Sequence, residues 1–513
     1  MTNAFSLFRT LIIYSICLPL AIIVGYFLAT TPTDFTSFVT IVILLCLMTI
    51  PLFLRWHYPW MILTWNMSAI LFFFPGKPFI GWFVILISLF ISVLQYILNR
   101  QLKFISAPII VKPLLFILLV VVLTARLTGG IGLNVLGGGE NVGGKRYLCL
   151  ILAVMGFFAL TAVKIPPQRR KLYIFLFFGG ALSMAVANLA YVVTPSLSFI
   201  FLVFPTDQGG ADAVTNNAFA AQYSIVRLAG LSTSSVSIIF LLLAIYGFRG
   251  LLDMRKSWRL PTLILLIGAT LYGGFRSQII MVGLILTILF FMEGLARTRL
   301  LPAFVLLFVL GIAIALPSLK HMPLVVQRSL AFLPDSLIDP EAADNANAST
   351  DWRLQMWAEV LPEVPQYLIL GKGLGINSHE LDMQRDNLGG SQYSGAMLAG
   401  DYHNGPLSLI IPFGLFGVAG FIWFLVAGTK VLYRNYKFGD PDLLLINRFF
   451  LAQFIMKMIV FFFIFGSFYG DLLAFTGVLG FSIALNHGVA KPAAAEPVAR
   501  PVFGKFKLAD AVH

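Results

Sequence analysis

Gly405-Pro-Leu-Ser-Leu-Ile-Ile-Pro-Phe-Gly-Leu-Phe-Gly-Val-Ala-Gly-Phe-Ile-Trp-Phe-Leu-Val-Ala-Gly428 runs from residue 405 to residue 428 without one charged side chain. A helix rises about 1.5 Å per residue, so roughly 20 such residues cross the hydrocarbon core of a bilayer. This stretch reads as a membrane span, and the same reading applies elsewhere. Apolar windows of comparable character cover residues 11–30, 36–54, 60–74, 79–98, 108–127, 147–163, 172–192, 231–248, 260–274, 278–294, 300–317, 443–466 and 470–487. Gly273-Gly-Phe-Arg-Ser277 is compatible with a tight hairpin or with a break in one helix.

Composition agrees. Of 513 residues, 59% are hydrophobic and 11% charged, too few charges to clothe a soluble enzyme of this size. The net charge of +13 does not indicate nucleic acid, because the basic residues lie in short loops rather than on one aqueous domain. With the N-terminus inside, alternate loops place most Lys and Arg on the cytoplasmic side and most Asp and Glu outside, which predicts N-in and C-in topology. Residues 1–30 lack a cleavage site of the A-x-A type and read as an uncleaved span. Cys17, Cys46 and Cys149 all fall in apolar segments, so no disulfide framework is expected.

The expected fold is all-α, a polytopic membrane protein of about 12 to 14 transmembrane helices with a large, partly helical periplasmic loop. The organisation is 1–317 (spans, with an outer loop at 193–230), 318–404 (the large outer loop), 405–487 (the last spans) and 488–513 (a cytoplasmic tail without fixed structure). In the large loop, Asp351–Val360 predicts a short amphipathic helix capped by Thr350 or Asp351.

Three motif matches fail on context. Gly139-Glu-Asn-Val-Gly-Gly-Lys145 fits a phosphate-binding loop by spacing, but Arg146 replaces the Ser or Thr and no strand precedes it. Asp440-Pro-Asp442 matches a metal-binding D-x-D, yet helix capping explains it in a short turn. His379, Glu380 and Asp382 have ligand chemistry, but an acidic loop accounts for them.

The outer arginines are more informative. Arg227 precedes a span, Arg276 sits in a turn between two spans, Arg353 lies on the loop helix and His403 stands just before the span at 405. An arginine at membrane depth costs about 3 kcal/mol on insertion scales and calls for a partner or a use. Guanidinium groups grip phosphate oxygens and stay charged, and histidine exchanges protons near neutral pH. Together they suit transfer from a phosphate-linked donor.

Five ordered patterns resemble those of the bacterial O-antigen ligase and O-antigen polymerase family of membrane glycosyltransferases. They are Arg227-Leu-Ala-Gly230, Gly274-Phe-Arg276-Ser277, Arg353-Leu-Gln-Met-Trp357, Gly371-Lys-Gly373-Leu-Gly375, and His403-Asn404 followed by Gly414-Leu-Phe-Gly417. Where the family often carries Asn-Pro-Asn after the first pattern, this chain has Ser232-Thr-Ser-Ser235. The resemblance covers about residues 225–430.

It implies inverting, metal-independent glycosyl transfer without a cofactor, on the periplasmic face of the bacterial inner membrane. The implied donor is an undecaprenyl-pyrophosphate-linked glycan and the acceptor a glycan or a lipid A core, with membrane lipids around them. Under it His403 is the base, Arg276 and Arg353 are catalytic cations, and Arg227 and Asn404 bind substrate. Lys457, mid-span in Met456-Lys457-Met458, could pair with a carboxylate or reach lipid-linked phosphate, and is expected to bind substrate as a tunnel residue. Ligase and polymerase are not separated locally, although the acidic outer face leans toward polymerase. The alternative from another class is a flippase for lipid-linked oligosaccharides, against which stand the outer placement of the polar residues and the absence of an internal repeat.

Overall fold

The computed structural model describes residues 14–15, 18–23, 25–26, 54–74, 76–99, 104–129, 144–193, 195–205, 225–298, 300–375 and 400–492. The expected spans at 11–30 and 36–54, most of the outer loop 193–230, the Gly139–Gly143 segment, His379, Glu380, Asp382, Cys17, Cys46 and residues 493–513 lie wholly or largely outside them. In chain order the main helices are α1 (54–64), α2 (Ile80–Leu98), α3 (Pro108–Thr128), α4 (Gly144–Leu160), α5 (Arg170–Gly179), α6 (Ser183–Val193), α7 (Ala229–Leu251) and α8 (Arg259–Leu271). They continue with α9 (Arg276–Met292), α10 (Leu300–Ser318), α11 (Leu324–Ser329), α12 (Pro340–Val360), α13 (Val364–Tyr367), α14 (Gly405–Phe438), α15 (Leu444–Phe463) and α16 (Phe468–Leu485). Among the described residues there is no strand beyond one isolated bridge between Ile70 and Phe79. Among the described residues seven helices are long and apolar enough to cross a membrane, so the chain is an all-α polytopic membrane protein.

The centre is aromatic. Phe421 and Phe424 on α14, Phe449, Phe450 and Phe461 on α15, and Phe475 and Phe481 on α16 are fully buried. Phe177 of α5 stacks on Phe481 with ring centroids 4.7 Å apart, which ties α5 to the last helix. At one end of these helices Asn447 exchanges amide hydrogen bonds with Asn486 (2.9 and 2.7 Å) and donates to the Asn435 carbonyl. Where water is scarce, such bonds join helices that hydrophobicity alone would not align.

Two expectations need correction, and one pair of alternatives is decided. The window 60–74 is helical only to Thr64, and residues 65–74 leave the helix. Their polar groups are satisfied by neighbours instead: Asn66 Nδ2 donates to the Phe177 carbonyl (2.7 Å), the Ser68 amide to Ser183 Oγ (3.0 Å) and the Ile70 amide to the Val203 carbonyl (2.8 Å). Irregular backbone at membrane depth survives only with such partners. The Gly273–Ser277 stretch resolves as a hairpin, with α8 and α9 as separate helices joined at Gly274, whose φ of +68° suits glycine. The loop helix begins at Pro340 rather than near 351, because Asp339 caps it through the Glu341 amide (2.9 Å), Pro340 occupies the first turn and an Ala-rich run follows.

The large loop is fastened to α14. Pro412 and a non-helical Gly414 (φ +59°) interrupt that helix and free its carbonyls. The Lys372 amide donates to the Ile411 carbonyl (2.7 Å), the Gly373 amide to the Pro412 carbonyl (3.0 Å), and the Leu415 amide to the Leu368 carbonyl (2.7 Å). On the other side the Leu374 amide donates to Tyr147 Oη of α4 (2.6 Å). Gly371 and Gly373 both have φ +79°, and a Cβ on Gly371 would overlap the Pro412 carbonyl. Gly371→Ala is therefore expected to lower the thermal midpoint of the purified protein and to cost at least about 2 kcal/mol, because both the conformation and the space are wrong for a side chain. An unchanged midpoint would contradict this docking.

Candidate active site

The hairpin turn and the loop helices gather the arginines. Arg276, the first residue of α9, donates through one guanidinium nitrogen to the Ala346 carbonyl and to Thr350 Oγ1, both at 2.7 Å on α12. Arg227 packs its stem beside Gly274 and donates to Asn345 Oδ1 (3.4 Å), with its guanidinium 5.9 Å from the Phe275 ring. Arg353, three residues after Thr350 on the same helix, lies over the Phe465 ring at 5.9 Å. The three arginines expected from the sequence therefore share one end of the bundle.

A fourth was missed. Arg328 on α11 is only 5% exposed and donates to Asn345 Oδ1 (2.6 Å), Ser349 Oγ (2.9 Å) and the Gly274 carbonyl. Burial first, and then the charges of Arg227, Arg276 and Arg353, pull its pKa down to about 9, which still leaves it cationic at neutral pH. Arg353 is lowered in the same way, by burial and then by Arg276 and Arg227, with Asp401 opposing. The available signal was an arginine embedded among Leu324, Val325, Val326 and Leu330.

His403 adjoins this cluster. Its ring stacks on Phe465 (centroids 5.1 Å, 29°) and leans on Trp352 (5.6 Å), so aromatic faces fix its plane. The residue has φ +48°, a left-handed conformation that histidine tolerates better than most. Nδ1 lies 3.3 Å from Asp401 Oδ1, within ion-pair range but not aligned as a hydrogen bond, so neither atom has a hydrogen-bond partner. Burial lowers the His403 pKa below its usual value, Asp401 raises it and Arg353 lowers it further. Burial thus favours the neutral imidazole, the form that can accept a proton. Asp401 was not anticipated, although it stands two residues from His403.

Two other expected residues have defined roles. Asn404 caps α14, its Oδ1 accepting from the Leu407 amide at 3.1 Å. Lys457 pairs with Asp471 of α16 at 2.6 Å, and Asp471 Oδ2 accepts from the Ser467 amide (2.9 Å). Lys457 also lines a cavity of about 250 Å³ together with Gln453, Asn66, Thr233 and Ser237. Thr233 receives a hydrogen bond from Gln278, two residues beyond Arg276, which places this cavity directly beneath the arginine turn.

Of the remaining motif matches, the one at Asp440–Asp442 is described in full and behaves as a turn. Asp440 caps the 3₁₀ turn Pro441–Leu443 through the Asp442 amide (3.0 Å) and pairs with Arg170 at 2.7 Å. Lys145 donates to the Gly76 carbonyl (3.0 Å). Cys149 is a free thiol.

If Arg328 is the clamp between the hairpin and α12, Arg328→Ala should strip partners from Gly274, Asn345 and Ser349 at once, costing about 2 to 4 kcal/mol. Limited proteolysis within residues 318–375 should then accelerate, and a wild-type cleavage pattern would argue against the clamp.

Residues 261–422 match the family model described as O-antigen ligase. No curated protein and no solved structure gives a significant match. The matched span starts in α8 and ends in α14, so it contains Arg276, Arg328, Arg353, Asp401 and His403 together with the docked loop. By that match, residues 261–422 are similar to the O-antigen ligase family.

Proposed function

We propose that this protein transfers a glycan from a polyprenyl-pyrophosphate carrier to a hydroxyl group of a second glycan or of a lipid A core, on the periplasmic face of the bacterial inner membrane. The observation that carries the reading is the placement of His403, held between Trp352 and Phe465, beside Arg353, one of four arginines gathered at the same end of the bundle. In the step proposed, the acceptor oxygen forms a bond to the anomeric carbon while the bond from that carbon to the pyrophosphate oxygen breaks, which inverts the centre. The hydroxyl proton passes to His403 Nε2, and the electron pair leaves with the polyprenyl pyrophosphate.

Each neighbouring residue has a part. Arg276 uses one nitrogen on α12, and its other nitrogens take no partner among the described residues, so they are available to phosphate oxygens. Arg353 and Arg227 add charge where the leaving group becomes more negative, and Arg328 fixes the frame that holds them. Fixed cations in a partly dehydrated site stabilise developing charge without reorganising. Asp401 positions His403 and stabilises its protonated form. The cavity with Lys457 lies where the first units of a carrier lipid would descend into the membrane.

Two experiments test the assignment. His403→Asn keeps a side chain tolerant of the left-handed backbone but removes the base, so it should fold with a near-normal thermal midpoint and lose roughly 10²- to 10⁴-fold in transfer. Full transfer by that variant would remove His403 from the mechanism. The second is a pH profile. Because burial depresses the His403 pKa, transfer should hold through neutral pH and fall on an acid limb below pH 6.5. Asp401 is the one charge that raises this pKa, so Asp401→Asn should move the limb to still lower pH while reducing the maximal rate; a limb that stays in place would detach Asp401 from His403.

A further inference from the structure

At the opposite end of the bundle lies a second cavity, of about 670 Å³, between α1, the start of α5 and the end of α2. Its position follows from α4. Arg146 at the N-terminal end of that helix lies within the field of Asp401, and the carbonyl of Leu160 at the C-terminal end accepts from Tyr58 Oη (2.8 Å), which lines the cavity. A helix of 17 residues separates the two ends by about 25 Å. The cavity therefore opens at the membrane surface facing away from His403.

Its lining is unusual for a packing defect. Arg55 and Arg169 share it with Gln95, and among the described residues that line it there is no carboxylate. Arg55 is exposed and has no hydrogen-bond or ion-pair partner among the described residues. Arg169 is bonded to Tyr173, which orients its guanidinium on the cavity wall. Trp56 and Trp60 stand beside them, 48% and 40% exposed, with the amphipathic rings that settle at headgroup depth. The deeper wall is aliphatic, formed by Leu63, Leu172 and Leu176. Two like charges in one cavity call for an anion, the aromatic rim sets the depth of that anion, and the aliphatic wall gives an attached chain somewhere to lie.

We propose that this cavity binds the phosphate headgroup of an acidic glycerophospholipid from the leaflet opposite the arginine cluster. A basic pocket between transmembrane helices at headgroup level suits that ligand, and the volume lies in the range of small-ligand sites. The site is separate from the transfer chemistry and does not depend on it.

The test uses full-length protein in a neutral detergent, with its thermal midpoint followed as phosphatidylglycerol, phosphatidylcholine or inorganic phosphate is added. Phosphatidylglycerol should raise the midpoint, the other two should not, and the double variant Arg55→Gln/Arg169→Gln should bind phosphatidylglycerol roughly thirty-fold more weakly. Arg55→Gln alone, at an exposed and unpaired position, guards against a folding defect in the double variant and should show an intermediate loss. Equal responses to phosphatidylglycerol and phosphatidylcholine, a response to inorganic phosphate alone, or an undiminished response in both variants would each overturn the proposal.

Discussion

Four guanidinium groups held within one another's field at the end of a helical bundle repel each other, and the rest of the site is arranged around that repulsion. Arg328 shows its strength: burial and three neighbouring cations bring its pKa to about 9. Such a cluster persists because several of its donors are held by neutral acceptors, namely Asn345, Ser349, Thr350 and the carbonyls of Gly274 and Ala346. Neutral acceptors secure geometry without cancelling charge. A carboxylate at each position would have been electrostatically easier, but it would have left nothing for an anionic substrate to neutralise.

The same constraint explains the shape of the large loop. Helix α12 carries both Arg353 and the acceptors for Arg276 and Arg328, so its position sets where the charges point. It is held from two sides, by the hairpin at Gly274 and by the glycine turn at 371–375 bound to the broken backbone of α14. His403 belongs to the same joint, between Trp352 of α12 and Phe465, which precedes α16. Proton acceptor and cations are thus positioned by one docking event rather than by separate elements.

Much of this could be read from the chain, and what escaped did so for physical reasons. Spans such as 405–428 are legible because a bilayer demands unbroken apolar length. The break after Thr64 is not, because its hydrogen-bond partners, Phe177 and Ser183, lie more than a hundred residues away. Arg227, Arg276, Arg353 and His403 stood out by pattern, but Arg328 draws its partners from residues 274, 345 and 349, and its apolar neighbours in sequence point to burial rather than to a site. The start of α12 was signalled by Asp339-Pro340-Glu341 and was overlooked because the apolar periodicity begins only near Leu354. Lys457 was legible as a residue needing a counter-charge, and Asp471 supplies it.

The central claim is that the arginine cluster recognises the pyrophosphate of a lipid carrier while His403 takes part only in the chemistry. Equilibrium binding of a polyprenyl pyrophosphate to purified protein tests this most directly, comparing wild type with Arg276→Gln, Arg353→Gln and His403→Asn. The account predicts that each arginine variant binds at least about tenfold more weakly, as expected for the loss of one charge-assisted contact, and that His403→Asn binds as wild type does. Wild-type affinity in both arginine variants would contradict it.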